Sequence, residues 1–263
     1  LWDLQIMKNI MSNGLCLALI LCASLVALKA QADRDSSRDQ FRHPAETIEF
    51  FGLTPEMDVV EITPGGGWYT EILADYVTGT LFAAHFNPES KGEYYRNSRK
   101  RFEKKIAANP VLYGNVELHT FDISVNLLTT PANSADALVT FRNVHNWLRS
   151  NNEAAAFELF YKTLKPGGVL GVVEHRAVPG TARETMLSSG YMTQDYVIEL
   201  AERAGFVLEA SAEINANPKD SADHPKGVWT LPPNLRLGTQ DRDKYLAIGE
   251  SDRMTLRFRK PKE

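Results

Sequence analysis

Three short segments of this chain bring together residue types that can do chemistry. In the first, the apolar run Val59–Ile62 carries Glu61 near its end, and the turn Thr63-Pro64-Gly65-Gly66-Gly67 leads into a helix-forming stretch, Trp68–Tyr76. Glycines let the main chain approach a ligand closely, and the start of a helix offers unpaired N–H groups. The turn therefore suits an adenosine-type cofactor, with Glu61 accepting hydrogen bonds from a ribose or an amino group; a helix-dipole partner is the structural alternative for Glu61. The second segment is Phe141-Arg142-Asn143-Val144-His145-Asn146-Trp147. His145 can take a proton from a hydroxyl or an amine, and the planar fork of Arg142 suits a substrate carboxylate. The third is Glu174-His175-Arg176, directly after the apolar Val169–Val173. Strand alternation would send Glu174 and Arg176 to one side and His175 to the other. His145, His175 and Glu174 are the catalytic candidates, with Arg142, Asn143, Arg176 and Trp229 on the substrate side. An ion pair with neighbouring loops is the alternative for the third segment.

The elements that must position these residues alternate. Pro44–Phe51 has helical spacing with proline in the first turn. Strands are expected at Asp58–Ile62, Thr80–His85, Val116–Phe121, Asp136–Phe141 and Val169–Glu174, then at Phe206–Ile214 and Met254–Phe258. Helices are expected at Glu89–Ala108, Asn152–Leu164 and Thr193–Ala204, the last with Thr193 as cap and Gly205 at its end. Such alternation predicts an α/β fold with a parallel-type sheet and helices on both faces. Asn215–Ser251 reads as a long irregular insertion before the last strand; loops of this length serve a site or lack order. Its Trp229-Thr230-Leu231-Pro232-Pro233 could close over the open end of the sheet, or pack against a sheet edge.

The opening residues read as a targeting segment. Met7-Lys8 precedes an apolar stretch from about Leu15 to Leu28, and Ala30-Gln31-Ala32 supplies the small-x-small pattern of a cleavage site. Cleavage after Ala32 would place the protein in the periplasm or outside the cell, and leave residues 33–263 as a single domain with no membrane span. The 1–6 segment lies upstream of that signal. Both cysteines, Cys16 and Cys22, fall inside the segment, so neither disulfides nor thiol catalysis is expected downstream. The segment contains Lys8, Lys29 and Asp3, which leaves 27 basic against 32 acidic residues after Ala32. A mildly acidic chain without a basic block argues against nucleic acid as a partner. His85, His145 and His175 all close predicted strands. They lack the spacing of a histidine pair one helical turn apart, so no metal is expected.

Val59–Gly67, Leu81–His85, Phe121-Asp122-Ile123, Asp136–Trp147 and Leu164-Lys165-Pro166-Gly167-Gly168, in this order, resemble the class I S-adenosylmethionine-dependent methyltransferases. Arg42-His43-Pro44-Ala45-Glu46, Glu174-His175-Arg176 and Lys226–Pro233 further resemble a group of predicted bacterial methyltransferases with export signals. The resemblance implies a Rossmann-like sheet of seven strands, the last antiparallel and inserted between the fifth and sixth. It implies S-adenosylmethionine as cofactor and a small-molecule acceptor. Glu61, Thr63, Gly65, Gly66 and Gly67 would hold the amino-acid and ribose side. His85 or Asn87 would serve the ribose and Asp122 with Ile123 the adenine, with Arg142 at the cofactor's edge. The chain departs from the family at Thr63, where a glycine is usual and a Cβ would crowd the methionine portion, and at Ala84-His85, where an acidic residue is usual. An exported ligand-binding protein without methyl transfer is the second reading, and a metal-dependent hydrolase using the histidines a third.

Overall fold

Val59–Ile62 (β1), Leu81–His85 (β2), Val116–Asp122 (β3), Leu127–Leu128 (β4), Ala135–Phe141 (β5), Leu164–His175 (β6), Val207–Ala212 (β7) and Arg253–Arg259 (β8) form one sheet in the order β4-β3-β2-β1-β5-β6-β8-β7. The computed structural model describes residues 34–262, so the expected export segment and both cysteines lie outside the described residues. These elements belong to the unit that begins at Asp39; of the unit 1–38, only residues from 34 on are described.

β1, β2, β3, β5 and β6 pair in parallel, which places their carboxyl ends along one edge of the sheet. β8 runs antiparallel between β6 and β7. The expected count of seven strands is exceeded by β4, a two-residue strand that turns back on β3 and pairs Phe121 with Leu128.

Strand alternation divides the core into two layers. Val60, Ile62, Leu138, Leu170 and Val172 face one cluster, with Val144, Trp147, Phe157, Phe160, Val197 and Leu200. Those residues come from the helices Val144–Arg149 (α5), Glu153–Thr163 (α6) and Gln194–Arg203 (α8). Val59, Leu81, Ala137, Val139, Val169 and Val173 face the other, against Pro44–Phe51 (α2) and Trp68–Tyr76 (α3). Burial of both faces explains why these strands read as apolar runs. Gly171 sits inside β6 because Phe51 presses on it: a Cβ there would lie 2.6 Å from the ring.

The remaining helices are Asp39–Arg42 (α1), Glu93–Ala107 (α4), Arg183–Ser189 (α7) and Arg242–Ile248 (α9). α9 and a 3-10 turn, Gly227–Thr230, give the insertion before β8 more order than its composition suggested. Among the described residues, no helix is long and apolar enough to cross a membrane.

Candidate active site

The glycine turn leaves β1 at Thr63, whose φ is 52°. A β-branched residue in the left-handed region is a genuine outlier, and the Thr63 Oγ1 atom is buried without a hydrogen-bond partner. Gly65 and Gly67 are also left-handed, at φ 61° and 75°, and Gly67 is the residue from which α3 starts. A Cβ on Gly65 or Gly66 would meet nothing within 4 Å, whereas one on Gly67 would press on Phe102 at 2.9 Å. The turn is therefore open on one side and packed on the other. Lys105 of α4 braces the packed side, donating to the Gly67 carbonyl at 2.9 Å and to Glu71 at 2.9 Å.

Glu61 is buried, and the Thr70 hydroxyl donates to it at 2.5 Å. Burial pushes its carboxyl up to about 7, against the smaller opposing effects of Thr70 and Lys105. His85 corrects an expectation. It is fully buried; Phe86 N–H donates to its Nδ1 at 2.7 Å, so its Nε2 carries the proton and donates to the Gly65 carbonyl at 3.0 Å. Burial holds the ring neutral, with its pKa down at about 4. Both ring nitrogens are engaged inside the chain, so His85 supports the glycine turn and has no free nitrogen for a ribose. Asn87 donates to Asp122 Oδ2 at 2.9 Å, while Ser124 donates to Oδ1 from its amide and its hydroxyl. Asn87 and Asp122 thus form one polar corner at the ends of β2 and β3, with Ile123 packed behind it on the core.

A second polar group gathers at the ends of β5 and β6. Glu174 is wholly buried, and its carboxylate accepts from His145 Nδ1 at 3.0 Å, from the His175 amide at 2.8 Å and from the His145 amide at 3.3 Å. With the Glu174 oxygen as acceptor in this contact, His145 carries its proton on Nδ1 and Nε2 keeps its lone pair. His175 Nδ1 lies 2.5 Å from Ser251 Oγ, and the two imidazole centroids are 5.2 Å apart. Burial, with His145 and the cationic Arg253, Arg142 and Arg42 adding to it, pushes the His175 pKa well below its ordinary value. Alternation along β6 predicted that Glu174 and His175 would diverge. Instead, one side-chain ligand atom of each lies within 4.8 Å of the other, and both residues are still paired with β8.

Two substrate-side expectations change. Arg176 holds Glu213 with two bonds, at 2.7 and 2.6 Å, and Asp252 with two more, at 2.8 and 3.0 Å. Its guanidinium ties the insertion to the sheet and is not available to substrate. Asn143 donates both amide hydrogens within the chain, to the Ile62 carbonyl at 3.0 Å and to Thr140 Oγ1 at 3.1 Å. It joins the ends of β1 and β5 and positions the helix that carries His145. Arg142, at φ 62°, stands at the same junction, its amide bonded to the Val173 carbonyl. Trp229, from the insertion, comes within 6.1 Å of the His145 ring.

Residues 60–172 match the family model for the methyltransferase domain. A methyltransferase from Aquifex aeolicus described as S-adenosylmethionine-dependent superposes with a TM-score of 0.58 at 16% identity, over 89% of this chain and 98% of that one. A Galdieria sulphuraria protein described as a sarcosine dimethylglycine methyltransferase gives 0.62 at 15% identity, over 88% and 87%. A Bordetella parapertussis protein described as a possible exported protein gives 0.51 at 14%, over 86% and 68%. This is a methyltransferase fold. No curated protein matches the chain by sequence.

Within that fold the open side of the glycine turn and the orphaned Thr63 hydroxyl fit an adenosine-type cofactor, since a cradle without Cβ atoms and an unpartnered buried oxygen both await a ligand. His145, Glu174 and His175 can bring one donor atom each within 4.8 Å of one another, a spacing that a metal ion could also use. The electrostatics favour hydrogen bonding: Glu174 already accepts three N–H groups, and the arginines that depress the His175 pKa would also repel a cation. Thr70, Lys105 and Ser251 were not legible as site residues. Ser251 is 76 positions from His175, and no spacing rule links them.

Proposed function

We propose that the protein is an S-adenosylmethionine-dependent methyltransferase acting on a small-molecule acceptor, with His145 as the group that takes the acceptor's proton. One observation carries the chemistry: a buried carboxylate, Glu174, fixes the His145 tautomer at the same sheet edge as the glycine turn. When bound, the cofactor supplies an activated sulfonium methyl group, so the protein's task is alignment and proton removal. Gly65 and Gly66 leave room for its main-chain contacts, and Glu61 and Thr63 line the start of the turn. The Asn87–Asp122 corner would hold the adenosine end. His145 Nε2 accepts the proton released as an oxygen, nitrogen or sulfur nucleophile takes the methyl group, and Glu174 stabilises the imidazolium that results.

The test has two parts. Calorimetry with S-adenosylhomocysteine should give a saturable 1:1 isotherm, and a flat one would sink the assignment. Once an acceptor is found, His145→Gln is expected to lower kcat by about 10² to 10⁴, the usual worth of a general base, while S-adenosylhomocysteine affinity stays within about threefold. Glu174→Gln should fall between the variant and the parent, because it weakens orientation without removing the base.

We also propose that Met7–Ala32 directs export and that residues 33–263 act as one domain. The small-x-small pattern at Ala30-Gln31-Ala32 supports this reading. N-terminal sequencing of the protein from a periplasmic fraction should begin at Asp33, and an intact Met7 start would refute it.

A further inference from the structure

We propose that the acceptor is an anion, a carboxylate or a phosphate ester, held by Arg149 and Arg236 beside Trp229. This rests on the reading of His145 as the proton acceptor and names the chemistry of the molecule brought to it.

Arg149 follows His145 by four residues on α5, so the two side chains share a helix face. The Arg149 guanidinium lies 5.1 Å from the Trp229 ring centre and that of Arg236 lies 4.6 Å from it, while the same ring is 6.1 Å from His145. The insertion sets this arrangement. Arg236 N–H donates to the Trp229 carbonyl at 2.9 Å, closing the loop that carries both residues. Trp229 and Val228 are pressed on the end of α7 so closely that a Cβ on Gly190 would meet each at 2.9 Å.

Most arginines of this fold grip a carboxylate: Arg42 and Arg253 hold Glu250, Arg176 holds Glu213 and Asp252, Arg183 holds Glu153, and Arg259 holds Glu209. Arg149 and Arg236 are exposed, and their guanidinium groups have no hydrogen-bond or ion-pair partner among the described residues. Behind them, Arg142, Arg42 and Arg253 all lie near enough to His175 to act on it electrostatically. Of the carboxylates around this cluster, Glu174 is engaged by His145, Glu250 by Arg42 and Arg253, Asp220 by Tyr191 and His224, and Asp252 by Arg176. The acceptor end is thus cationic in a chain whose formal net charge is −4. Such a patch concentrates anions, and the guanidinium fork matches carboxylate and phosphate geometry. Cation–π contact alone would cover Trp229 equally well, but it would give no preference for charge in a ligand.

That difference sets the experiment. The protein after Ala32, saturated with S-adenosylhomocysteine, is titrated with benzoate, phenyl phosphate and uncharged benzamide, with binding read by ligand-observed NMR. The expected result is binding of at least one anion at least tenfold tighter than benzamide, lost at least tenfold in Arg149→Gln/Arg236→Gln and unchanged in Arg242→Gln. Whichever anion binds tighter distinguishes carboxylate from phosphate. Equal binding of the anions and benzamide, or equal anion binding by the double variant, overturns the proposal. S-adenosylhomocysteine affinity, measured in the same samples, scores the cofactor reading separately. Its loss in the parent protein would defeat that reading whatever the anions do.

Discussion

At Thr63 a β-branched side chain sits at φ 52° and its hydroxyl is buried without a partner, so two separate costs meet at one residue. Left-handed strain costs about 1–3 kcal/mol, and an orphaned hydroxyl about 1–3 kcal/mol. Glycine would remove both and return about 0.5–1 kcal/mol through its greater freedom in the unfolded chain. Thr63→Gly is therefore expected to raise stability by about 1–5 kcal/mol in urea unfolding while weakening S-adenosylhomocysteine binding severalfold; a less stable variant would refute the strain assignment. The buried ionisable groups set opposing pH slopes. Glu61, raised in the fold, keeps its proton longer than in the unfolded chain, so its contribution to stability falls as pH rises from about 4.5 to about 7. His85, depressed to about 4, gives stability that is lost as pH falls from about 6.5 to about 4, and His175 acts in the same direction. Two histidines outweigh one glutamate, so unfolding midpoints should rise between pH 4.5 and 6.5. Glu61→Gln, which removes the opposing slope, should steepen that rise. At this scale the sequence named Glu61, His145 and Glu174 as candidates but not their partnerships. His85 looked like a ribose ligand because its place at the end of β2 is visible in sequence, while the carbonyl that claims its Nε2 is not.

Elements were more legible than contacts. The strands β1, β2, β3, β5, β7 and β8 fall within two residues of their expected bounds, whereas β6 begins at Leu164, five residues before its expected start. The short helices α5, α7 and α9 are six or seven residues long, too few to display a 3.6-residue period, and only packing against their neighbours reveals them. The start of α3 makes a sharp test of element-level reasoning. Gly67 combines a left-handed φ with a ring 2.9 Å from where its Cβ would stand. Gly67→Ala should cost about 2–4 kcal/mol, from about 1 kcal/mol of left-handed strain plus overpacking against Phe102 of about 1–3 kcal/mol. Because Phe102 also packs on the His85 ring, the loss should extend to cofactor affinity. By the same logic Gly66→Ala, with open space above it, should leave stability nearly unchanged and impair only binding.

Across the whole molecule, the insertion between β7 and β8 is secured by a few buried polar residues. The Asp220 carboxylate accepts from the Tyr191 hydroxyl at 2.9 Å and from the Asp252 amide at 2.8 Å, and pairs with His224 at 2.8 Å. Asn215 Nδ2 reaches both Thr47 and Thr255 hydroxyls at 3.0 Å. Asp220→Ala would leave these donors unpaired, and should increase proteolytic nicking within 215–251 and raise KM more than it lowers kcat. Unchanged proteolysis would mean the insertion is held by other contacts. The sequence signalled the insertion's length and aromatic content but not its anchorage, which joins residues up to 208 positions apart.

The antiparallel seat of β8 has a consequence for how this protein is made. Arg253–Arg259 follow every other strand of the sheet in chain order, yet they fill an interior place in it, between β6 and β7. Until they arrive, two strands made earlier face each other across a gap, each with an unpaired row of backbone groups. The sheet therefore cannot close before β8 has been made.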